Sequence, residues 1–314
     1  MSQSAPSSWQ LPPGVTRGTW DYRARRPHRA EYDEYFADCK LFEHDEAMLA
    51  RYFAPPGLVA DFGCGTGRAL LPLVRKGHRG LAIDLSQEML DVVREKAAEE
   101  TLDVRTVLAN LVELDDVPDH SADYGMCLFS TLGMIRGSAN RAIALRHMRR
   151  VIKPGGVFVV HVHNLWNTLR DFGGPWWLAT NVWRTRRVKD WELGDKFFDY
   201  RRIPNMYLHV FRHGELCTAL RDAGFTILES QPLRRGATNR CVCRVCSATS
   251  GPAVGWSPPE RDVRVKTERV SSRPADRARI RAWRTTRRGE SVSANNRCSR
   301  PPSICRDRLV GHAR

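Results

Sequence analysis

The 314 residues contain no unbroken apolar run of the roughly 18 residues that a membrane-spanning helix needs. The opening stretch, Met1 to Gly14, is polar and proline-containing, and it lacks the basic start and apolar core of a secretory leader. A cytoplasmic protein with no membrane partner is therefore expected. Cysteine is not organised for pairing: the nine residues are an odd number, and several sit inside apolar strand patterns, as reduced thiols would. No GxSxG elbow occurs around Phe129-Ser130-Thr131-Leu132-Gly133, so a serine hydrolase has no support. Cys241, Cys243 and Cys246 lack a second CxxC or spaced histidines, and Val242 and Val245 give that segment the pattern of a strand. No metal site is expected, and no internal repeat is visible.

A hydrophobic content of 42% is enough for a substantial core. The net charge of +15 is unevenly spread. Residues 251–314 hold 16 Lys or Arg against 6 Asp or Glu, which leaves only +5 for residues 1–250. That tail has one lysine among many arginines, few aliphatics and no helical or strand period, so it reads as a disordered Arg-rich extension. It is either dispensable or a binding segment for an acidic partner such as RNA. A flexible lead-in over residues 1–19 and a domain over 20–250 complete the expected division.

Between Gly57 and Cys246 short apolar runs alternate with amphipathic segments, the layout of a parallel sheet with helices on both faces. Strands are predicted at Leu58–Phe62, Gly80–Asp84, Val104–Ala109, Tyr124–Phe129 and Val157–Val162, with two more near Phe225–Ser230 and Arg240–Val245. Ser86 is the predicted N-cap of a helix to Glu99, with Met89, Leu90 and Val93 on one face. Arg141–Ile152 and Gly214–Ala223 are further helices, the first stopped by Lys153-Pro154-Gly155-Gly156. Tyr32–Phe53 reads as one or two capping helices, in which Tyr32 and Tyr35 either close over a ligand or simply pack. The stretch from Asn164 to Tyr207 breaks the rhythm. It holds Trp166, Trp176, Trp177, Trp183 and Trp191 among Arg184, Arg186, Arg187 and Lys189, and its place after the fifth strand predicts a lid over the ligand crevice.

The segment Val59-Ala60-Asp61-Phe62-Gly63-Cys64-Gly65-Thr66-Gly67-Arg68 is a strand, a glycine turn and a helix start. Glycines at such a bend let a ligand approach the backbone. The dinucleotide fingerprint would need glycine where Arg68 stands, and Asp61 in the turn would repel a pyrophosphate. A cationic, phosphate-free nucleoside fits better. S-Adenosyl-L-methionine, with its ammonium and sulfonium, answers that description. Asp84, about 20 residues past the turn, is placed to accept from ribose hydroxyls or to cap the helix that follows. Asn110, after the third strand, is an acceptor for an adenine amino group or an ordinary turn residue.

These residues resemble the class I methyltransferases of the type 11 and type 25 kind, over roughly Trp20 to Cys246. DFGCGTG, LAIDLS, ADYGMCLFS and LRHMRRVIKPGGVFVV stand in the family's order. The resemblance implies a Rossmann-like α/β fold, with a seven-stranded sheet of order 3-2-1-4-5-7-6, one strand antiparallel. It also implies a cofactor contact set of Asp61, Gly63, Cys64, Gly65, Thr66, Gly67, Asp84, Leu85, Asn110, Leu111 and Phe129. Asn110 departs from the acid usual at its position.

Methyl transfer from a sulfonium needs alignment and exclusion of water more than acid–base machinery. If a base is used, His161 and His163 are the candidates, two apart at the carboxyl end of the fifth strand; the alternative is that one packs and the other caps a loop. The expected function is methyl transfer to a small molecule. RNA as acceptor, through the insertion or the tail, a non-catalytic cofactor-binding homologue and a nicotinamide dehydrogenase are the alternatives.

Overall fold

The computed structural model describes residues 10–23, 41–171, 173–200, 203–232 and 242–249, all within the unit Met1–Pro259. The tail, Tyr32 and Tyr35 lie outside them, as do Cys241 and the side chains of Cys243 and Cys246.

Seven strands form one sheet. They are β1 (Leu58–Phe62), β2 (Arg79–Asp84), β3 (Val104–Leu108), β4 (Ala122–Cys127), β5 (Ile152–His163), β8 (Phe225–Pro232) and β9 (Val242–Thr249), in the order β3-β2-β1-β4-β5-β9-β8. The first five are parallel, and β9 runs antiparallel to both neighbours. This is the expected order, with β9 as the reversed strand. The chain steps outward from β1 to β2 and β3, then crosses back to β4, so a crevice opens at the carboxyl ends of β1 and β4.

The apolar runs are nearly continuous because both faces are covered. Val59 points into a core with Met48, Leu49 and Tyr52 of α2 (Leu41–Tyr52), with Leu70 and Leu71 of α3 (Leu70–Arg75), and with Leu90 and Val93 of α4 (Gln87–Glu99). Ala60 and Phe62 point the other way, to Leu145 and Met148 of α6 (Ser138–Val151) and Leu216 and Leu220 of α9 (His213–Asp222). There Phe158 stacks on Phe225 at 5.0 Å and meets Phe62 edge-on at 6.3 Å. Complete burial of each such ring contributes about 1.5–3 kcal/mol. Ser86 caps α4 as expected, accepting from the Met89 N–H at 3.2 Å.

The structure departs from the sequence reading in three places. Strand β4 ends at Cys127, not Phe129, because Phe129 and Ser130 take left-handed φ of 54° and 64° and turn into the short helix α5 (Thr131–Met134). Strand β5 begins at Ile152, so Lys153-Pro154-Gly155-Gly156 lies within it. Residues 10–19, expected to be flexible, carry ordered contacts: Asn110 Nδ2 donates to Pro13 O at 3.0 Å, the Arg136 N–H donates to Gly14 O at 2.8 Å, and α1 (Arg17–Arg23) begins there. The 164–207 insertion comprises α7 (Leu165–Thr168), α8 (Gly174–Arg187) and most of a hairpin, β6 (Asp195–Tyr200) with β7 (Ile203–His209).

A buried polar cluster holds this insertion to α6. Asp195 Oδ1 accepts from Tyr207 Oη at 2.7 Å and pairs with His209 Nδ1 at 2.9 Å, while His209 Nε2 meets Glu215 Oε1 at 2.7 Å. Arg141, 4% exposed in its side chain, donates to Glu192. Asn181 of α8 donates to Asp195 O at 2.7 Å and accepts from the Gly194 N–H at 2.9 Å. Burial opposes charge on His209, but its two carboxylate partners prevail and raise its pKa. Glu192, Asp195 and His209 lie close enough to hold a metal ion. With a carboxylate at each ring nitrogen, both nitrogens of the protonated imidazole donate, and in that form it has no lone pair for a metal.

Candidate cofactor site

All the sequence-predicted site residues fall at the carboxyl end of the parallel strands. Asp61, Gly63, Cys64, Gly65, Thr66 and Gly67 occupy the end of β1 and the turn after it, Asp84 and Leu85 the end of β2, Asn110 and Leu111 the end of β3, and Phe129 the end of β4.

The turn is held by its neighbour strand. The N–H groups of Gly63 and Cys64 both donate to Ile83 O, at 2.8 and 3.1 Å, and the Gly65 N–H donates to Asp84 Oδ2 at 2.9 Å. Asp84 Oδ1 accepts from the Ser86 N–H at 2.9 Å. Two glycines serve different ends. A Cβ on Gly63 would lie 2.3 Å from Thr131 Cγ2, so this glycine lets α5 close on the turn; a Cβ on Gly65 would meet nothing within 4 Å. Both have positive φ, 86° and 52°. The open side of the loop is therefore at Gly65, beside Asp84.

Asp61 is 3% exposed. Burial, then the nearby Asp84 carboxylate, push its pKa up to about 8, with Arg68 opposing. Burial also raises Asp84, against the hydrogen bonds from Ser86 and Gly65. Two acids in one buried turn are stabilised in their ionised form by an incoming cation, and a phosphate would add a third negative charge. The donor set thus fits an ammonium-bearing nucleoside. Burial and the two acids also drive the Cys64 thiol well above its usual range, which leaves it a packing group.

Asn110 is engaged otherwise. Its Oδ1 accepts from the Val112 N–H at 3.2 Å and its Nδ2 donates to Glu113 as well as to Pro13, so the side chain closes a turn and ties down the amino-terminal segment.

Phe129 lies under Arg68, whose guanidinium carbon is 4.6 Å from the ring centroid, and 5.4 Å from the ring of His161. The strained corner it forms with Ser130 is locked to β5: the Ser130 N–H donates to His161 O at 2.9 Å, and Ser130 Oγ accepts from the His163 N–H at 3.1 Å. His161 is fully buried, and its Nδ1 is 3.0 Å from Asp45 Oδ2, itself 3% exposed on α2. A carboxylate accepts, so this pairing keeps the proton on Nδ1. Nε2, also buried, has no hydrogen-bond partner among the described residues. His163 is half-buried two residues on. Asp45 was not singled out from sequence, yet a signal exists: it takes the i position of an apolar i, i+3, i+4, i+7 stripe with Met48, Leu49 and Tyr52. A separate groove of about 750 Å³, lined by Arg146 of α6 and by Arg212 and His213 at the start of α9, includes none of these residues.

Residues 59–156 match the family model described as a methyltransferase domain. A malonyl-[acyl-carrier protein] O-methyltransferase of Serratia marcescens is 32% identical over 132 residues, 42% of this chain and 48% of that protein. The chain spans about half the length of such curated relatives. Among solved structures, a SAM-dependent methyltransferase from Methanosarcina mazei has a TM-score of 0.55 at 19% identity, covering 65% of this chain and 97% of that one. A 1,6-didemethyltoxoflavin-N1-methyltransferase from Burkholderia thailandensis, with 1,6-didemethyltoxoflavin and S-adenosylhomocysteine bound, has a TM-score of 0.50 at 18% identity and covers 80% and 94%. At such identities these two likenesses are of fold. The sequence match, the sheet order and the acidic glycine turn coincide: residues 59–156 match a methyltransferase domain, within a sheet whose fold is that of the solved methyltransferases.

Proposed function

We propose that the chain is an enzyme that transfers a methyl group from S-adenosylmethionine to a small-molecule acceptor. The observation that carries this reading is the pairing of the Gly65 N–H with Asp84 beside buried Asp61, at a turn whose open side would admit a ligand. The bound cofactor supplies an electrophilic methyl on a sulfonium. Asp61 would hold the ammonium, Gly63 through Gly67 would line the thioether and ribose, and Asp84 with Leu85 would take the ribose. Asn110 and Leu111 would border the adenine, and Phe129 would lie toward the reacting end. His161, oriented by Asp45, accepts the acceptor's proton at Nε2. A small-molecule acceptor is supported by a relative and a structural neighbour whose names specify malonyl-[acyl-carrier protein] and 1,6-didemethyltoxoflavin.

The test is transfer of labelled methyl from the cofactor into a cell extract resolved into small molecules, RNA and protein. Label in a small molecule with the native chain, and loss of that label with Asp61→Asn, is the expected result. Tighter binding of a nicotinamide dinucleotide than of S-adenosylmethionine, or label confined to RNA, would overturn it.

A further inference from the structure

The insertion that follows β5 presents a surface that the cofactor site does not use. Helix α8 carries Trp176 and Trp183, 76% and 58% exposed, where a soluble surface rarely leaves two tryptophans uncovered. They are seven residues apart, so they share one line of the helix, about 10 Å from each other along its axis. Val182 flanks them, exposed. Arg186 and Arg187, also exposed, stand within a turn of Trp183, and the helix sequence GPWWLATNVWRTRR contains no acid.

The rotation of α8 is fixed. Its opposite face buries Gly174 and Asn181, and Asn181 is bonded to Asp195 O and the Gly194 N–H. The tryptophans therefore cannot turn inward without breaking the buried cluster that anchors the insertion. What they offer is a convex ridge, aromatic along its length and cationic at one end.

We propose that this face of α8 seats the protein on an anionic phospholipid surface. Tryptophan partitions to the headgroup region with its ring body in the acyl boundary, and arginines beside it pair with lipid phosphates. Single-stranded RNA is the poorer fit. Stacking platforms line a groove and bases stack about 3.4 Å apart, whereas these rings stand on a convex helix about three times as far apart. The absence of a spanning run in the sequence does not bear on a helix that lies flat. The insertion leaves the carboxyl end of β5 and returns beside it, through Leu165 N–H to Phe211 O and Phe211 N–H to His163 O, both 2.8 Å. That is the sheet end that carries the glycine turn, so the insertion that bears α8 is rooted at the crevice end of the domain.

The experiment is co-sedimentation of the full-length chain, tail included, with vesicles of phosphatidylcholine alone or with 30% phosphatidylglycerol, at two salt concentrations. The native protein should partition to the anionic vesicles and be released by salt, and quenching by brominated lipid should report buried tryptophan. Trp176→Ser with Trp183→Ser should weaken partitioning at least tenfold and abolish the quenching difference. Arg186→Gln with Arg187→Gln should weaken it several-fold per charge and flatten the salt dependence. All four side chains are exposed, so an unchanged melting temperature will certify the fold. The inference is overturned if the native chain ignores anionic vesicles, if the tryptophan variant partitions equally, or if these substitutions abolish RNA retention or self-association in place of vesicle binding. None of these readouts depends on methyl transfer.

Discussion

The hydroxyl of Ser86 donates to the carbonyl of Arg23 at 2.6 Å while it accepts from the N–H of Met89 at 3.2 Å. One side chain thus caps α4 and clasps α1 two residues from Asp84. With the bond from Asn110 to Pro13, it lays the segment Pro13–Arg23 between the ends of β2 and β3. Ser86→Ala removes both functions and should cost about 1 kcal/mol through the cap. Ser86→Gly costs only a few tenths as a cap and isolates the clasp. Amide exchange over residues 17–23 should rise in both variants, and the melting temperature should fall clearly only with alanine. Protected α1 amides in Ser86→Gly would show that the clasp does not hold the segment.

The raised pKa of Asp61 makes cofactor binding pH-dependent. The carboxyl is pushed up to about 8 by burial first and Asp84 second, so below that pH the unliganded group is protonated. A raised acid adds nothing to stability: the fold is least burdened below the ordinary value of 3.8 and loses stability as pH rises through about 8. A cation binds the ionised form, so binding below about 8 releases a proton. Affinity should fall by up to about tenfold per pH unit below that point. Calorimetry in buffers of different ionisation enthalpy would measure the released proton near pH 7. Asp61→Asn should abolish both the release and the pH slope, and a slope that survives the substitution would assign it elsewhere.

Gly63 and Gly65 separate fold from ligand. Alanine at Gly63 meets Thr131 at 2.3 Å on top of its positive φ, so Gly63→Ala should destabilise the chain by several kcal/mol, near the upper range for overpacking. Alanine at Gly65 meets nothing, and its left-handed φ costs about 1–2 kcal/mol. Its methyl would stand in the open side of the turn. Gly65→Ala should therefore melt close to the native chain yet bind the cofactor much more weakly. Equal affinity in the two proteins would move the ligand away from this turn.

The cluster around His209 should shape the stability curve. Its raised pKa means that its contribution is complete below the ordinary histidine value of 6.5 and is lost as pH rises through the folded value. Glu192, Asp195 and Glu215 are lowered by their hydrogen bonds and by Arg141 or His209, against burial, so their contributions are present above 4.5 and lost as pH falls through the folded values. The insertion should be most stable between roughly these limits. His209→Gln should flatten the alkaline limb of a melting-temperature profile and destabilise by about 3–5 kcal/mol, as breaking a buried pair does.

Sequence carried the sheet and the turn because both rest on local signals. Apolar runs long enough for a strand, DFGCGTG and the acid of LAIDLS lie within their own elements, and the structure puts Gly65 against Asp84 as that spacing allows. What was not legible depends on partners far along the chain. The β6–β7 hairpin has aromatic and charged residues on both sides, Phe197 and Phe198 among Asp195, Lys196 and Asp199, and so shows no alternation. Its side chains Tyr207 and His209 meet Arg141 and Glu215, which stand on other elements. Similarly, Pro13 and Asn110 are 97 residues apart, and no pattern in either segment announces the other.

The same reasoning applies to the pair formed by Asp45 and His161, 116 residues apart and 3.0 Å in space. A buried imidazole paired on Nδ1 with a buried acid either supports packing or leaves Nε2 to take a proton from the acceptor. The two roles separate kinetically. As a base, His161→Gln should lower kcat by about 10²–10⁴-fold with cofactor affinity unchanged. Asp45→Asn should reduce kcat less, since Nε2 survives with a weaker orienting partner. A purely structural pair predicts a different signature: both variants lose melting temperature together, while the kcat of the folded fraction stays as in the native chain.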